Sequence, residues 1–234
     1  MESRPKKLNL GCGPGATADG WIHLDGSWNA WLSKHRMLRW LLKACRVVPA
    51  GLLGTVWSSN VIVHDVRRGL PLASNSLEAI YASHLLEHLH LAEAMRLLSE
   101  CHRVLGPAGV LRAVVPDLRA IVMQYVNDVD RTGAALPADT MSAADKLNHA
   151  LLFRRPEPPA RNVVLGLYAA LADFHSHKWM YDSDSLIGYF KQAGFVSVCE
   201  RKFHDSQIEG IENIEAAERV LNGAGICVEG VKPS

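Results

Sequence analysis

Short apolar runs alternate with longer amphipathic stretches along the chain, and most of the runs stop at a glycine or at a polar residue. Runs of this length, bounded by turn residues, are typical of buried strands. We predict seven strands, over Lys7–Leu10, Trp21–Asp25, Asn60–Asp65, Leu77–Ser83, Val110–Val115, Val196–Phe203 and Gly225–Val231.

Helical periodicity is strongest over residues 91–105. Leu91, Met95 and Leu98 recur on one face, and Gly106-Pro107 predicts the end of the helix because proline cannot continue it. Similar patterns predict that residues 28–57 are helical as far as Pro49 and that Ser185–Ala193 is a helix. Arg131–Pro137 and Arg154–Pro159 are predicted to be loops.

Strands that alternate with helices favour an α/β fold. We expect a doubly wound, mostly parallel seven-stranded sheet of the Rossmann-like kind with a helical cover, and the two last strands could pair as an antiparallel hairpin. The 234 residues fit one domain, 1–234, with insertions at about 26–59 and 118–180 that would cover the sheet.

Composition narrows the function classes. Lys plus Arg total 25 and Asp plus Glu 24, a balance that argues against a nucleic-acid partner held by bulk charge. The five cysteines include no CxxC pair, so neither a disulfide framework nor a cysteine zinc site is predicted. We find no apolar signal core and no run long enough to span a membrane, and we expect a cytoplasmic protein.

Polar groups follow five of the predicted strands. In a parallel sheet the carboxyl ends of the strands meet at one crevice, where ligands bind. The glycine loop NLGCGPG, Asp25, Asp65, His84 and Asp117 would therefore converge there. A glycine loop after the first strand suits either a dinucleotide or S-adenosylmethionine.

Four segments carry a family resemblance: NLGCGPG, HLDGS, HDVRRGLPLASNSLEAIYASHLLEHL and ECHRVLGPAGVLRAVVPDL. Their order and spacing resemble the class I S-adenosylmethionine-dependent methyltransferases. The narrower likeness is to a type 11-like bacterial group linked to sugar and polysaccharide synthesis. The resemblance covers residues 7–120 and resumes at HSHKWMYDSDSLIGYFKQAGF and ICVEGVK.

The resemblance implies S-adenosylmethionine as the cofactor and a small-molecule or carbohydrate-type acceptor of its methyl group. The glycine loop would pass beneath the methionine part, Asp25 would accept the ribose hydroxyls, and Asp65 would lie near the adenine. The implied cofactor contacts are Asn9, Gly11, Cys12, Gly13, Gly15, Asp25, Asp65, Val66, Ser83 and His84.

Three residues are candidates for catalysis. His84 and His177 could each take a proton from an acceptor hydroxyl or amine, because imidazole titrates near neutral pH. Asp117 could orient such a histidine or bind a substrate hydroxyl, or it could cap the helix that follows the fifth strand.

Other interpretations compete with methyl transfer. His84 and His88 fit the HxxEH pattern of zinc proteases, but a zinc site there needs a third ligand and a long supporting helix, and we predict no metal. Asn9 stands where family members often carry an acid, and the connection to Asp25 is too short for a full helix, which favours a binding protein without chemistry. An NAD-dependent oxidoreductase is the third candidate, although the chain has no YxxxK pair.

Residues 28–46 combine three tryptophans with five basic residues. Such a helix could rest on a membrane surface and meet a lipid-linked sugar, could form a lid over the crevice, or could pack on the sheet with its basic residues in solvent.

Overall fold

The computed structural model describes residues 6–15, 18–44, 57–131, 141–152, 176–218, 220 and 225–234. The strands are β1 (Lys7–Leu10), β2 (Trp21–Asp25), β3 (Val61–Val63), β4 (Leu77–Ser83), β5 (Leu105–Pro116), β6 (Val196–Arg201) and β7 (Gly225–Val231). The helices are α1 (Trp28–Lys34), α2 (Arg36–Ala44), α3 (Leu91–Val104), α4 (Leu118–Arg131), α5 (Ala143–Leu151) and α6 (Ser183–Gln192).

The seven strands form one sheet in the order β3-β2-β1-β4-β5-β7-β6. The first five strands pair in parallel, whereas β7 is antiparallel to both β5 and β6. The seven-stranded, Rossmann-like α/β fold and the closing hairpin are thus confirmed, in a sheet that is mixed. The order reverses direction between β1 and β4, which is where such sheets bind ligands.

Several helix and strand boundaries differ from the expectation. Helix α3 ends at Val104 and β5 begins at Leu105, where it pairs with Leu77 of β4, so that Gly106-Pro107 lies within a strand and not in a loop. The helix predicted from residue 28 is broken at His35, whose backbone (φ −111°, ψ 73°) is not helical.

Some observed helices were not predicted, and some predicted segments fall outside the described residues. A helix after β5 was expected only through its candidate cap Asp117, so the bounds of α4 were not predicted, and α5 was missed. The predicted helical stretch 45–49, the loop residues 132–137 and the loop Arg154–Pro159 lie outside the described residues.

The core surrounds the parallel strands. Leu8 and Ile80 face each other on β1 and β4 and are fully buried. Helix α3 covers this region with Leu97, Leu98 and Cys101, as its 3.6-residue pattern requires. No helix of the described residues has the length and apolarity needed to cross the hydrocarbon layer of a membrane.

A buried ionic network ties β5 to the C-terminal part of the chain. Arg112 of β5 is fully buried and donates to Glu215 at 2.8 Å and to Glu229 of β7 at 3.0 Å. Both carboxylates are also inaccessible, and Ser206 donates a further hydrogen bond to Glu229. Burial opposes the charge of Arg112, but the hydrogen bonds and attraction of Glu215 prevail and raise the pKa of the guanidinium.

Glu100 of α3 anchors the segment between β3 and β4. Its carboxylate accepts from the Leu70 backbone N–H at 2.8 Å and from the Arg103 guanidinium at 2.7 Å, and Arg103 also donates to the carbonyl of Leu70. These bonds, led by that from Arg103, lower the pKa of Glu100 to about 2.

We expect Glu100→Gln to lower the free energy of unfolding at pH 7 by about 1–2 kcal/mol, since it weakens charge-assisted hydrogen bonds. Because the pKa of Glu100 is depressed in the folded protein, its contribution is complete above an unfolded value of 4.5 and disappears as the pH falls toward about 2. Urea unfolding at pH 7 and pH 3 checks this, and an equal loss of stability at both values would contradict it.

Candidate active site

A crevice opens at the carboxyl ends of β1 to β4 and encloses about 700 Å³ of space, counting its open mouth. That size suits a small molecule. Each of the four strands contributes the residues that follow it: Gly11, Asp25, Gly26, Ser27, Asp65, Val66, Arg67, His84, Leu85, His88 and Leu89.

The glycine loop closes β1 by turning toward β2. Gly11 and Gly13 have φ values of 62° and 68°, a left-handed conformation that favours glycine. A Cβ atom on Gly11 would come within 3.3 Å of Leu85 Cβ, so a side chain there would crowd the floor of the crevice. The loop backbone is therefore positioned to approach a ligand closely.

Asp25 stands at the end of β2 and is only 7% exposed. Its Oδ2 accepts from the Gly13 backbone N–H at 3.0 Å, and its Oδ1 accepts from the Ser27 backbone N–H at 2.8 Å. Ser27 in turn caps α1 through its side chain. A carboxylate has about four acceptor positions, so two fixed bonds orient it and leave acceptor capacity for a ligand.

Asp65 lines the same crevice, but its carboxylate is engaged. Arg67 donates to Asp65 Oδ1 at 2.9 Å and to Asp65 Oδ2 at 2.8 Å. The hydrogen bond from the Arg67 side chain keeps the pKa of Asp65 below its usual value. A ligand amine that approaches Asp65 must therefore share the carboxylate with Arg67. Val66, next to it, also lines the crevice and is buried.

His84 follows β4 and adopts a left-handed backbone conformation, with a φ of 52°. Non-glycine residues held in this region concentrate at functional sites. Its Nδ1 lies 2.9 Å from Oε1 of Glu87, whose side chain has no exposed surface. Leu86–His88 is a single 3-10 turn, so His84 and His88 do not share the long helix that a zinc-protease pattern needs.

His177 is placed beside this turn and is not among the residues that line the crevice. Its ring centroid lies 5.1 Å from that of His88, and a ligand atom from each of Glu87, His88 and His177 lies within 4.8 Å of the other two. The Lys178 backbone N–H donates to the Glu87 carbonyl at 2.7 Å, which ties the two segments together. Burial lowers the pKa of His177.

Asp117 is observed at the start of α4. Its Oδ1 accepts from the Arg119 backbone N–H at 2.8 Å, which is the helix-capping alternative. Asp117 is not among the described residues that line the crevice.

Other predicted cofactor contacts lie behind or beside the crevice. Asn9 is buried and its Nδ2 is 3.3 Å from His23 Nδ1. Cys12 is fully buried and packs with Val61 and Trp57. Ser83 is buried at the end of β4, and Gly13 acts through its backbone bond to Asp25. Gly15 is exposed and has no atom near its Cβ position.

Several crevice residues were missed in the sequence. Gly26 and Ser27 directly follow Asp25, and serine ahead of a helical stretch is a capping signal that could have identified the second of them. Leu85 and Leu89 carry no chemical signal. Arg67 was hidden because a basic residue in a turn is more often solvated than paired.

Gly26 is a sensitive point of the framework. A Cβ atom there would lie 2.7 Å from the His64 carbonyl oxygen, closer than side chains pack against backbone. We expect Gly26→Ala to cost about 1–3 kcal/mol of stability because the ends of β2 and β3 must separate. Thermal unfolding measures this.

The matched control for Gly26→Ala is Gly188→Ala in α6, where no atom lies within 4 Å of the added methyl group. Alanine is the better helix former, so the control variant should gain up to about 1 kcal/mol. Equal melting temperatures for the two variants would contradict the close approach at Gly26.

The chain was compared with known protein families, curated sequences and solved structures. A family model described as "Methyltransferase domain" matches residues 8–113. An S-adenosylmethionine-dependent methyltransferase from Archaeoglobus fulgidus is similar in structure, with 15% identity and a TM-score of 0.46, over 97% of this chain and 85% of that chain. A comparison with curated protein sequences finds no match.

Two further solved structures are similar to a comparable degree. Human N-acetylserotonin methyltransferase, solved in complex with S-adenosylmethionine, has 13% identity and a TM-score of 0.49, over 98% of this chain and 48% of that chain. An O-methyltransferase family protein from Burkholderia thailandensis has 14% identity and a TM-score of 0.45, over 97% and 51%. The chain spans about half the length of these two proteins. The family match includes every residue that lines the crevice.

Proposed function

We propose that this protein transfers a methyl group from S-adenosylmethionine to a small-molecule acceptor, of which a carbohydrate-type hydroxyl compound is the first to test. The observation that carries the proposal is the Asp25 carboxylate. It is fixed by two backbone N–H groups in a crevice whose other walls are Gly11 of the glycine loop and the turns after β3 and β4.

The residues of the crevice fit this cofactor. Two adjacent hydroxyls of a ribose can both donate to one carboxylate, and Asp25 retains acceptor capacity beyond its two backbone bonds. Gly11 leaves the space against Leu85 that a side chain would fill, so a ligand can lie along the loop. When bound, S-adenosylmethionine supplies a methyl group already activated by its sulfonium charge.

His84 is the proposed general base. Glu87 Oε1 is the partner of its Nδ1 at 2.9 Å, and in the neutral ring this bond leaves the proton on Nδ1 and makes Nε2 the basic nitrogen. The Glu87 side chain has no exposed surface, so water does not compete for this bond. A base in the crevice removes the proton that a hydroxyl acceptor loses on methylation. His177 and Asp117, which do not line the crevice, have no such role in this proposal.

The insertions at about 26–59 and 118–180 are proposed to cover the acceptor side of the crevice. The first begins with α1, whose Ser27 cap already lines the crevice. On α2, Met37 and Trp40 are 82% and 68% exposed, an apolar surface that a lid or a membrane-facing helix would each use.

Calorimetric titration with S-adenosylhomocysteine, with NAD as the control ligand, tests the proposal. Micromolar binding of S-adenosylhomocysteine and none of NAD is the expected result, and nucleotide sugars are then the first acceptors to assay with labelled cofactor. Binding of NAD alone would overturn the methyltransferase proposal and favour the oxidoreductase alternative. Cofactor binding without turnover on any acceptor would favour the binding protein without chemistry.

A further inference from the structure

Three potential metal ligands meet beside the crevice although the sequence separates them widely. Glu87 and His88 lie on the 3-10 turn after β4, and His177 lies on the segment that leads into α6. One ligand atom from each lies within 4.8 Å of the other two. This set differs from the HxxEH pattern, because His177 takes part and His84 does not.

Two atoms of this cluster are buried without a hydrogen-bond partner among the described residues: Glu87 Oε2 and His177 Nδ1. The Glu87 residue is 0% exposed and His177 is 7% exposed. A buried carboxylate oxygen and a buried imidazole nitrogen are both costly to leave unsatisfied. A cation between them would satisfy both atoms at once.

The surrounding bonds match those that support metal ligands. His88 Nδ1 lies 3.2 Å from the Ser176 carbonyl, which assigns the proton to Nδ1 and the lone pair to Nε2. The other oxygen of Glu87, Oε1, makes a hydrogen bond with His84 Nδ1. Metal-binding histidines commonly donate their other N–H to a carbonyl in this way.

We propose that Glu87, His88 and His177 bind a divalent transition-metal ion of the zinc class. Two imidazoles and one carboxylate suit zinc and its neighbours, whereas magnesium and calcium prefer oxygen ligands alone. Ligand atoms around a tetrahedral ion lie about 3.4 Å apart, so side-chain atoms that are now up to 4.8 Å apart must draw together by up to about 1.4 Å.

Three protein ligands leave at least one coordination position open. His88 also lines the crevice, so the open position adjoins it. If the proposed methyl transfer is correct, which this step presupposes, an acceptor hydroxyl bound to the ion would lose its proton more readily. The metal site would then select acceptors with oxygen donors, and His84 would receive the proton.

Metal binding is tested without cofactor or acceptor. Untagged protein, stripped with a chelator, is titrated with zinc chloride by calorimetry at neutral pH, and its melting temperature is recorded with and without zinc. We expect one site of micromolar affinity or tighter and a higher melting temperature with zinc. Glu87→Gln, which keeps the shape of the side chain, should weaken binding at least tenfold, and so should His177→Asn.

The matched control is His102→Gln. His102 Nε2 also has no hydrogen-bond partner within the described parts of the chain, but the residue packs against Phe195 and is not in the cluster. This variant should bind zinc like the unaltered protein. Absence of zinc binding, or equal binding by the Glu87→Gln and His177→Asn variants, would overturn the proposal. Circular dichroism of each variant separates lost binding from lost folding.

The same samples titrated with S-adenosylhomocysteine keep the two proposals apart. Zinc binding without S-adenosylhomocysteine binding would sustain the metal site and refute the methyl-transfer proposal. Binding of S-adenosylhomocysteine with no zinc binding would do the opposite.

Discussion

Replacing Asp25 by asparagine should weaken S-adenosylhomocysteine binding by about 100-fold or more, which corresponds to about 2.7 kcal/mol. Asparagine has one acceptor oxygen, whereas both oxygens of Asp25 already accept backbone bonds, from Gly13 and Ser27. The amide NH₂ of asparagine would face one of these N–H groups and could not accept its hydrogen bond. The ribose hydroxyls would also lose a charged acceptor, and hydrogen bonds to charged groups contribute about 1.5–3 kcal/mol each. Calorimetric titration measures the loss.

Asp19→Asn provides the matched control, because it makes the same chemical change at an exposed residue of the same β1–β2 connection. Its affinity should equal that of the unaltered protein. If Asp25→Asn binds S-adenosylhomocysteine within a few-fold of the unaltered protein, Asp25 is not the ribose acceptor and the proposed function loses the observation that carries it.

Replacing Arg112 by methionine should lower the free energy of unfolding by about 3–5 kcal/mol, the cost of leaving buried charges without their partner. Glu215 and Glu229 both have inaccessible side chains and both pair with this guanidinium, although Arg201 also lies 3.8 Å from Glu229. Removing it leaves two carboxylates close together in a water-free region. Chemical denaturation at pH 7 measures the loss.

Arg119→Ala serves as the control for Arg112→Met. Arg119 bridges Asp182 and Asp184 at the surface, where solvent screens the pairs, so its removal should leave the unfolding midpoint nearly unchanged. Combining Arg112→Met with Glu215→Gln and Glu229→Gln should recover much of the loss because no buried charge of the network remains. If the Arg112→Met variant is as stable as the unaltered protein, the network contributes nothing to stability.

The parallel strands were predictable because each is a short apolar run closed by a turn signal. The bounds of β1, β2 and β4 match the expectation, as do those of the antiparallel β7. Errors arose where tertiary pairing overrode a local signal. Proline is a helix breaker, but Pro107 lies within β5, where a strand can continue through it at a register irregularity opposite β4.

The walls of the crevice were predictable only in part. Asp25 and His84 could be found because polar residues that directly follow parallel strands converge by topology. The contact between Glu87 and His177 could not, because it depends on how a distant segment returns to the turn after β4. The pairing of Asp65 with Arg67 was likewise invisible, since sequence spacing does not show whether a surface carboxylate is occupied.

The position of β7 between β5 and β6 has a consequence for biosynthesis. A ribosome releases β5 well before residues 225–231, yet one edge of β5 acquires its neighbour only when that last strand emerges. During the same interval Arg112 lacks its partners Glu215 and Glu229, which are synthesised later. The nascent chain can therefore form β1 to β5 early, but this intermediate exposes an unpaired edge to other chains. Slow translation of the region after β5 would prolong that exposure and increase the dependence of folding on a chaperone.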